Sequence, residues 1–346
     1  MSKSVHQFGD LYGEAVPNDG APQARATRTD GTSSTPRVGV VYNPRSHRNK
    51  GQDLEIAGLH NVTVSQPHGR DQITQCLADF ARDGIDYLII NGGDGTVRDV
   101  LTCGQAVFGD DWPELAVLPK GKTNALNVDL GAPGGWTLAE AVAAWDGGQR
   151  ITRRPIEITR ADGESPTVRG FIFGAGAFTI AIRAGQDAHR LGAFDSLAVG
   201  VTALWGAMQV FFGGDSNPWR SGVRMDINLL PEGQPMPRSR FGDPGRRAFL
   251  LASTLENFPM GVKAFGPLRE GLKLLVLDHP RRRLMALIPA ILAGYRPAGL
   301  SDKGLHQIGA EAFEIELEDQ FILDGEAFPE GHYRIGQGAP LTFIAP

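Results

Sequence analysis

The chain has 346 residues, a length that favours two domains or one large one. Its 41% hydrophobic and 21% charged residues suit a packed core and argue against a wholly disordered chain. The net charge of −5 provides no global basic field, so nucleic acid is not an expected partner.

Met1 to Pro36 is polar and turn-rich and has no apolar core for a signal peptide, so it reads as a flexible tail. Ordered structure is expected from Arg37. Val38–Tyr42 reads as a buried strand stopped at Asn43-Pro44. Val62–Ser65 is a second strand. Gln72–Asp83 carries apolar residues at helical spacing. Tyr87–Ile90 is a third strand, followed by Asn91 and a glycine-rich turn, with a helix expected from Val97. Leu115–Leu118 is a fourth strand closed by Pro119, and Thr137–Trp145 reads as a helix. Alternating strands and helices predict an α/β domain with a parallel sheet over residues 37–150. Residues 43–46, 91–96 and 119–124 all follow strands, so one crevice at the carboxyl ends of the sheet can hold them together.

After Arg150 the texture changes. Ile151–Thr159, Gly170–Phe173, Val223–Leu230, Arg247–Ser253, Leu272–Leu277, Phe313–Leu317, Phe321–Ile322, Tyr333–Ile335 and Leu341–Ile344 read as short strands. Many alternate apolar with polar residues, which predicts an antiparallel, sandwich-like β domain over 151–346. Two apolar stretches bear on membranes. Ser196–Phe212 is uncharged over 17 residues but short for a span, so a buried or lipid-facing helix is expected. Leu284–Tyr295 is shorter, contains Pro289 and follows Arg281, Arg282 and Arg283, a basic cluster that suits either solvent or an anionic membrane surface. Two cysteines, Cys76 and Cys103, make neither a disulfide framework nor a zinc site, which favours a reducing cytoplasm. The histidines 189, 279, 306 and 332 show no metal-ligand spacing and read as surface or satisfied core residues.

The strongest chemical signal is Gly92-Gly93-Asp94-Gly95-Thr96, directly after a buried strand. Glycines let a backbone turn tightly and present N–H groups to an anion, and a following helix adds its positive end. Asp94 offers a carboxylate for a cation or a proton, and Thr96 a hydroxyl for a phosphate oxygen. The second signal is Pro119-Lys120-Gly121-Lys122-Thr123-Asn124. It is not a Walker loop, since that spacing needs glycine where Ala116 stands. The third, Asp324-Gly325-Glu326, is by itself only a turn signal.

Together these segments resemble the diacylglycerol kinase catalytic family, which includes bacterial lipid kinases and sphingosine kinases. The resemblance runs from about Arg37 to Pro346. It is carried by Asn43, Pro44 and Ser46, by the full Gly92–Thr96 signature, by Pro119, Gly121 and Asn124 with Leu130-Gly131, by Leu191-Gly192, by Glu256-Asn257, by Pro267 with Gly271-Leu272, and by Asp324-Gly325-Glu326. It implies a fold shared with NAD kinases and lipid kinases, and an ATP- and Mg²⁺-dependent transfer of the γ-phosphate to the hydroxyl of a lipid alcohol, diacylglycerol first. It further implies that Asn43, Ser65, Gly92–Thr96, Gly121, Lys122, Thr123 and Asn124 hold the nucleotide. Asp324 and Glu326 are the implied bases, with Asp94 as the competitor. A structural Mg²⁺ is implied on Glu270 and carbonyls near Pro267 and Leu272.

Several positions depart from that pattern. Lys122 stands for a threonine, Ala125 for an aspartate, Arg98-Asp99 for Asn-Glu, His47 for a glycine, and Glu270 for an aspartate. Two alternatives therefore stay open: a kinase of a soluble acceptor such as NAD, and a lipid- or nucleotide-binding protein with little or no turnover. The expected setting is cytoplasmic and peripheral to a membrane, where the lipid substrate is met. A homodimer is the expected state of association if the chain self-assembles.

Overall fold

The computed structural model describes residues 35–46, 48–49, 58–161, 163, 166–180 and 217–346. The expectations for most of the N-terminal tail, for His47, His189 and Leu191-Gly192, and for the apolar stretch 196–212 lie outside these residues.

Apolar runs bounded by Pro, Asn and Gly form the first sheet. Its strands are β1 (Val38–Tyr42), β2 (Val62–Ser65), β3 (Tyr87–Gly92), β4 (Glu114–Pro119), β5 (Gln149–Arg153) and, from the end of the chain, β19 (Leu341–Ala345), in the order β2-β1-β3-β4-β19-β5. All neighbours are parallel except β19 and β5. Helices cover both faces, which explains why the central strands are apolar throughout. On one face, α1 (Arg70–Arg82) and α2 (Asp94–Phe108) set Leu77, Phe80, Val100 and Leu101 against Leu88, Ile90 and Phe343. On the other, α4 (Leu138–Gly147) sets Leu138 and Ala141 against Val40, Ile89 and Ala116. The short α3 (Ala125–Asp129) lies between them in sequence. Helix α4 starts where a Thr137–Glu140 capping box satisfies its first amides.

Two sheets make up the β domain. One contains β6 (Ile156–Arg160), β7 (Val168–Gly170), β9 (Val223–Leu230), β10 (Gln234–Pro235), β11 (Arg246–Arg247), β15 (Ala312–Leu317) and β18 (Gly331–Gln337). The other contains β8 (Ile172–Gly176), β12 (Phe249–Ser253), β13 (Leu272–Leu277), β14 (Leu305–Ala310), β16 (Phe321–Leu323) and β17 (Glu326–Phe328). Both are antiparallel, and their inner faces share one core that includes Phe173, Leu250, Leu274, Phe313 and Ile335. This is the expected sandwich.

The boundary expected at residues 150 and 151 does not separate the sheets. Ile151–Thr159, read as one strand, is two. Pro155, with no N–H to give, stands between β5 in the first sheet and β6 in the second. The closing strand, read as part of the β domain, returns to the first sheet as β19, where it is buried between β4 and β5. Gly170–Phe173 likewise divides at Phe171 between the two β sheets, and Leu305–Ala310 is a strand that the sequence reading did not place.

Leu284–Tyr295 is two short helices, α5 (Arg282–Met285) and α6 (Ile288–Leu292), which bury Leu284 and Ile291. Arg281 lies over the Phe241 ring at 3.5 Å from its centroid. His306 is a satisfied core residue, held by Asp278 at 2.8 Å and Ser301 at 2.7 Å. Burial pushes both thiols up to about 11, so neither cysteine is a nucleophile at neutral pH. Among the described residues, no helix is long and apolar enough to cross a membrane.

Candidate active site

In the first sheet the chain runs from β1 outward to β2, then returns to place β3 on the other side of β1. Ligands bind at such a reversal, beyond the carboxyl ends of the strands. Asn43 follows β1 and Gly93 follows β3, so both stand at this point. Asn43 Nδ2 donates to Thr96 Oγ1 at 2.8 Å and ties the two strand ends together.

The helix expected from Val97 begins at Asp94, so Asp94, Gly95 and Thr96 form the first turn of α2, with Gly93 as its cap. Gly93 packs directly on Gly121, and a Cβ on either would lie 2.7 Å from the other's Cα. Two glycines far apart in sequence thus bring the β3–α2 turn and the β4–α3 loop into backbone contact. Asn124 closes that second loop. It adopts a left-handed conformation (φ 51°), accepts from the Gly121 N–H at 2.7 Å and donates to the Gly121 carbonyl at 3.0 Å. The Asp94 carboxylate accepts the Ala125 N–H at 3.0 Å. Since the contact is made by the backbone, alanine at 125 keeps it. Burial raises the Asp94 pKa, and the amides of residues 124–126 oppose that shift.

The opposite wall comes from the β domain. Strands β16 and β17 are joined by Asp324-Gly325, both at positive φ (46° and 85°), as a two-residue hairpin requires. The turn sets Asp324 where its oxygens accept the N–H groups of Phe171 (3.1 Å) and Ile172 (2.9 Å). Desolvation, and then the charge of Asp94, push the Asp324 carboxyl up to about 7. The two carboxylates named from separate motifs are therefore electrostatic neighbours.

Arg98 lies beneath this wall, 2% exposed. Its guanidinium donates to Asp99 at 2.9 Å and lies 5.9 Å from the Phe328 ring centroid. Burial alone would lower its pKa, but Asp99, Glu326 and Asp324 outweigh that and hold it above its ordinary range. The sequence marked Arg98 only as a departure from a pattern. Its position one turn after Asp94 was the available signal. We expect Arg98→Met to move the acid limb of the pH–rate profile to higher pH, because losing the cation raises the nearby carboxyls further. An unmoved limb would show that Arg98 does not set their charge.

A cavity of about 500 Å³ opens between these walls, lined by Asn43, Ser46, Gly93–Thr96, Arg98, Gly121–Thr123, Asp324 and Glu326, among others. A second, of about 360 Å³, adjoins it through Asn43, Arg45, Thr96 and Asp99 and extends to Pro67–Ile73 at the start of α1. The combined crevice is large enough for a nucleotide. Of the residues expected to hold one, Asn43, Gly93–Thr96 and Gly121–Thr123 line it. Gly92 and Asn124 shape it from behind, and Gly92 is needed because a Cβ there would meet the Thr96 side chain. Ser65 is not among its lining residues. It hydrogen-bonds the Cys76 thiol, and Pro67–Arg70 line the crevice instead.

Among the described residues, no three His, Cys, Asp or Glu side chains form a cation cage. A Mg²⁺ that arrives with phosphates takes only one or two carboxylates from a protein. Glu326 and Asp94 line the cavity and are the residues that would hold such an ion.

The site expected on Glu270, Pro267 and Leu272 does not fit a metal. Glu270 is exposed and Leu272 is buried at the start of β13, while the ammonium of Lys273 donates to the carbonyls of Arg269 (2.8 Å) and Gly271 (2.9 Å).

A joint behind the crevice was not legible in the sequence. Asp129, at the end of α3, accepts the N–H groups of Glu256 (2.9 Å) and Asn257 (2.7 Å) and the Arg153 Nε (2.6 Å). Arg153 also pairs with Glu256 at 3.0 Å. These bonds fix α3, and with it the Ala125 amide on Asp94, to the β domain.

Residues 37–159 match the model of the diacylglycerol kinase catalytic domain. The fold is similar to the crystal structure of a diacylglycerol kinase from Bacillus anthracis str. Sterne, at 16% identity, 91% coverage of this chain, 98% of that chain and a TM-score of 0.57. It is also similar to a second structure from that organism, provisionally assigned the same activity, at 17% identity, 91% and 98% coverage and a TM-score of 0.62. At these identities the likeness concerns the fold. A comparison with curated proteins finds no sequence match.

Proposed function

We propose that this chain, whose residues 37–159 match a diacylglycerol kinase catalytic domain, is an ATP- and Mg²⁺-dependent lipid kinase. In this reading it transfers the γ-phosphate to the hydroxyl of diacylglycerol as a peripheral protein on the cytoplasmic side of a membrane. The observation that carries the reading is the convergence of the Gly92–Thr96 turn, the Lys122 loop and the Asp324–Glu326 hairpin on one crevice. The acceptor class rests on the family of the matched segment.

Phosphates lie on the first turn of α2, where its N–H groups and dipole favour an anion. Thr96 Oγ1 accepts from Asn43, so its own proton points to a phosphate oxygen. Lys122 adds a mobile positive charge where a hydroxyl was expected. A Mg²⁺ held by Glu326 and Asp94 would supply neutralisation of the β- and γ-phosphate charge. Asp324 takes the proton of the acceptor hydroxyl as that oxygen bonds to the γ-phosphorus. The bond from the γ-phosphorus to the bridging oxygen breaks, and its electron pair leaves with ADP. A base that titrates near neutrality suits this late proton transfer. Asp94, whose carboxylate bridges α2 to α3, is assigned to the Mg²⁺, which leaves Asp324 as the base.

The test offers purified protein Mg²⁺, ATP labelled at the γ-phosphate and a total lipid extract in mixed micelles. Label is expected in an organic-extractable product and is expected to fall by orders of magnitude in Asp94→Asn, with the fold retained by circular dichroism. Label confined to a water-soluble acceptor would replace the lipid by a soluble substrate. No transfer from bound ATP would make the chain a binding protein.

A further inference from the structure

Lys273 is 1% exposed, on the central strand β13, where it pairs with Ser253 of β12 and Gly309 of β14. A buried ammonium is costly unless its protons are used and its charge is met. Here its Nζ donates to the Arg269 and Gly271 carbonyls at 2.8 and 2.9 Å. Gly271 holds the turn at φ 74°, and the Phe265 ring lies 5.9 Å away. Burial lowers the Lys273 pKa to about 8; Asp129 and Glu256 favour its cation, and Arg153 and Arg269 oppose it. An ion at this loop would draw on backbone oxygens of this kind, and the Arg269 and Gly271 carbonyls are already taken by the ammonium. In this chain a side chain of the protein already supplies the positive charge.

We infer that the Lys273 ammonium serves as a built-in cation in place of a structural divalent ion, and that Lys273 is a positioning residue for the crevice. The route of its effect is short. Strand β12 ends beside Lys273 and leads into Glu256-Asn257, whose amides hold Asp129. Asp129 ends the helix whose first amide holds Asp94. Loss of the ammonium frees the Arg269 and Gly271 carbonyls, loosens the turn into β13 beside the end of β12 and, through Glu256-Asn257, loosens α3. The effect on turnover rests on the kinase reading above, but the cation itself is tested without it.

The test measures the melting temperature of the full, nucleotide-free chain with Mg²⁺ and with EDTA. The wild type and Glu270→Gln are expected to respond alike, because neither binds an ion at this loop. A Mg²⁺-dependent rise in the wild type that disappears in Glu270→Gln would overturn the inference. In Lys273→Ala the two carbonyls remain without the ammonium. That variant is expected to melt several degrees lower in EDTA and to recover part of the loss with Mg²⁺, and adding Glu270→Gln should weaken the recovery. A folded Lys273→Ala protein indifferent to Mg²⁺ would count against the proposal, and if the variant does not fold, the wild-type comparison still decides. In the kinase assay, Lys273→Ala is expected to lose roughly tenfold in kcat with little change in the KM for ATP, and Mg²⁺ above the nucleotide concentration should restore part of it. If no kinase activity is found at all, the melting measurements stand by themselves.

Discussion

Asp324→Asn is expected to lower kcat by about 10²–10⁴-fold while ATP still binds, the range removed with a positioned general base. Asparagine can keep the acceptor for the Phe171 and Ile172 amides, so the hairpin that places residue 324 is retained. In the wild type, the acid limb of the kcat/KM profile should have its midpoint at about 7, because the base acts only when deprotonated. Stability should respond in the opposite sense. The folded-state pKa of Asp324 lies above its unfolded value, so the native state holds a proton that the unfolded chain releases. The stability that this proton contributes is fully present below the unfolded pKa of about 4 and is lost as pH rises through about 7. Asp324→Asn does not titrate, so its melting temperature should exceed that of the wild type above neutrality and fall less steeply with pH between those two values. Full turnover in this variant would remove Asp324 from the mechanism.

Gly121→Ala should be the most damaging small substitution in the crevice. Its Cβ would lie 2.7 Å from the Gly93 Cα and 2.9 Å from Asn124 Oδ1. The first of these is backbone, so no rotamer relieves the clash, and the β4–α3 loop must move away from α2. A displacement of that order costs about 10²-fold in a reaction that depends on alignment, and overpacking costs roughly 1–3 kcal/mol of stability. We expect the KM for ATP to rise and the melting temperature to fall. Gly95→Ala is the control, since its nearest neighbour is Arg98 Nη2 at 3.9 Å. It should leave the melting temperature close to that of the wild type. Equal behaviour of the two variants would show that the Gly93–Gly121 contact does not shape the site.

Local patterns proved reliable where the physics is local. Val38–Tyr42, Tyr87–Ile90 and Leu115–Leu118 are strands because each is an apolar run stopped by Pro, Asn or Gly. The chemistry-bearing residues follow those strands for the same reason, so one crevice could be expected before any coordinates. The helix after β3 begins three residues before Val97, because its first turn tolerates Gly95, a residue that argues against helix elsewhere.

The amino-acid sequence by itself determined most of the strands, the α/β and sandwich classes of the two halves, and the glycine and carboxylate motifs that face the crevice. Tertiary structure decided which sheet each strand joins and which charges meet. A period-two pattern is the same whether β19 returns to the first sheet or stays in the sandwich. Only the gap between β4 and β5 settles its place. Arg98 finds the Leu323 carbonyl 225 residues away, and Asp129 finds the Glu256 amide 127 residues away. Asp129 and Glu256 in turn face the ammonium of Lys273. Charge compensation depends on distance in space and on exclusion of water, and neither is encoded in spacing along the chain.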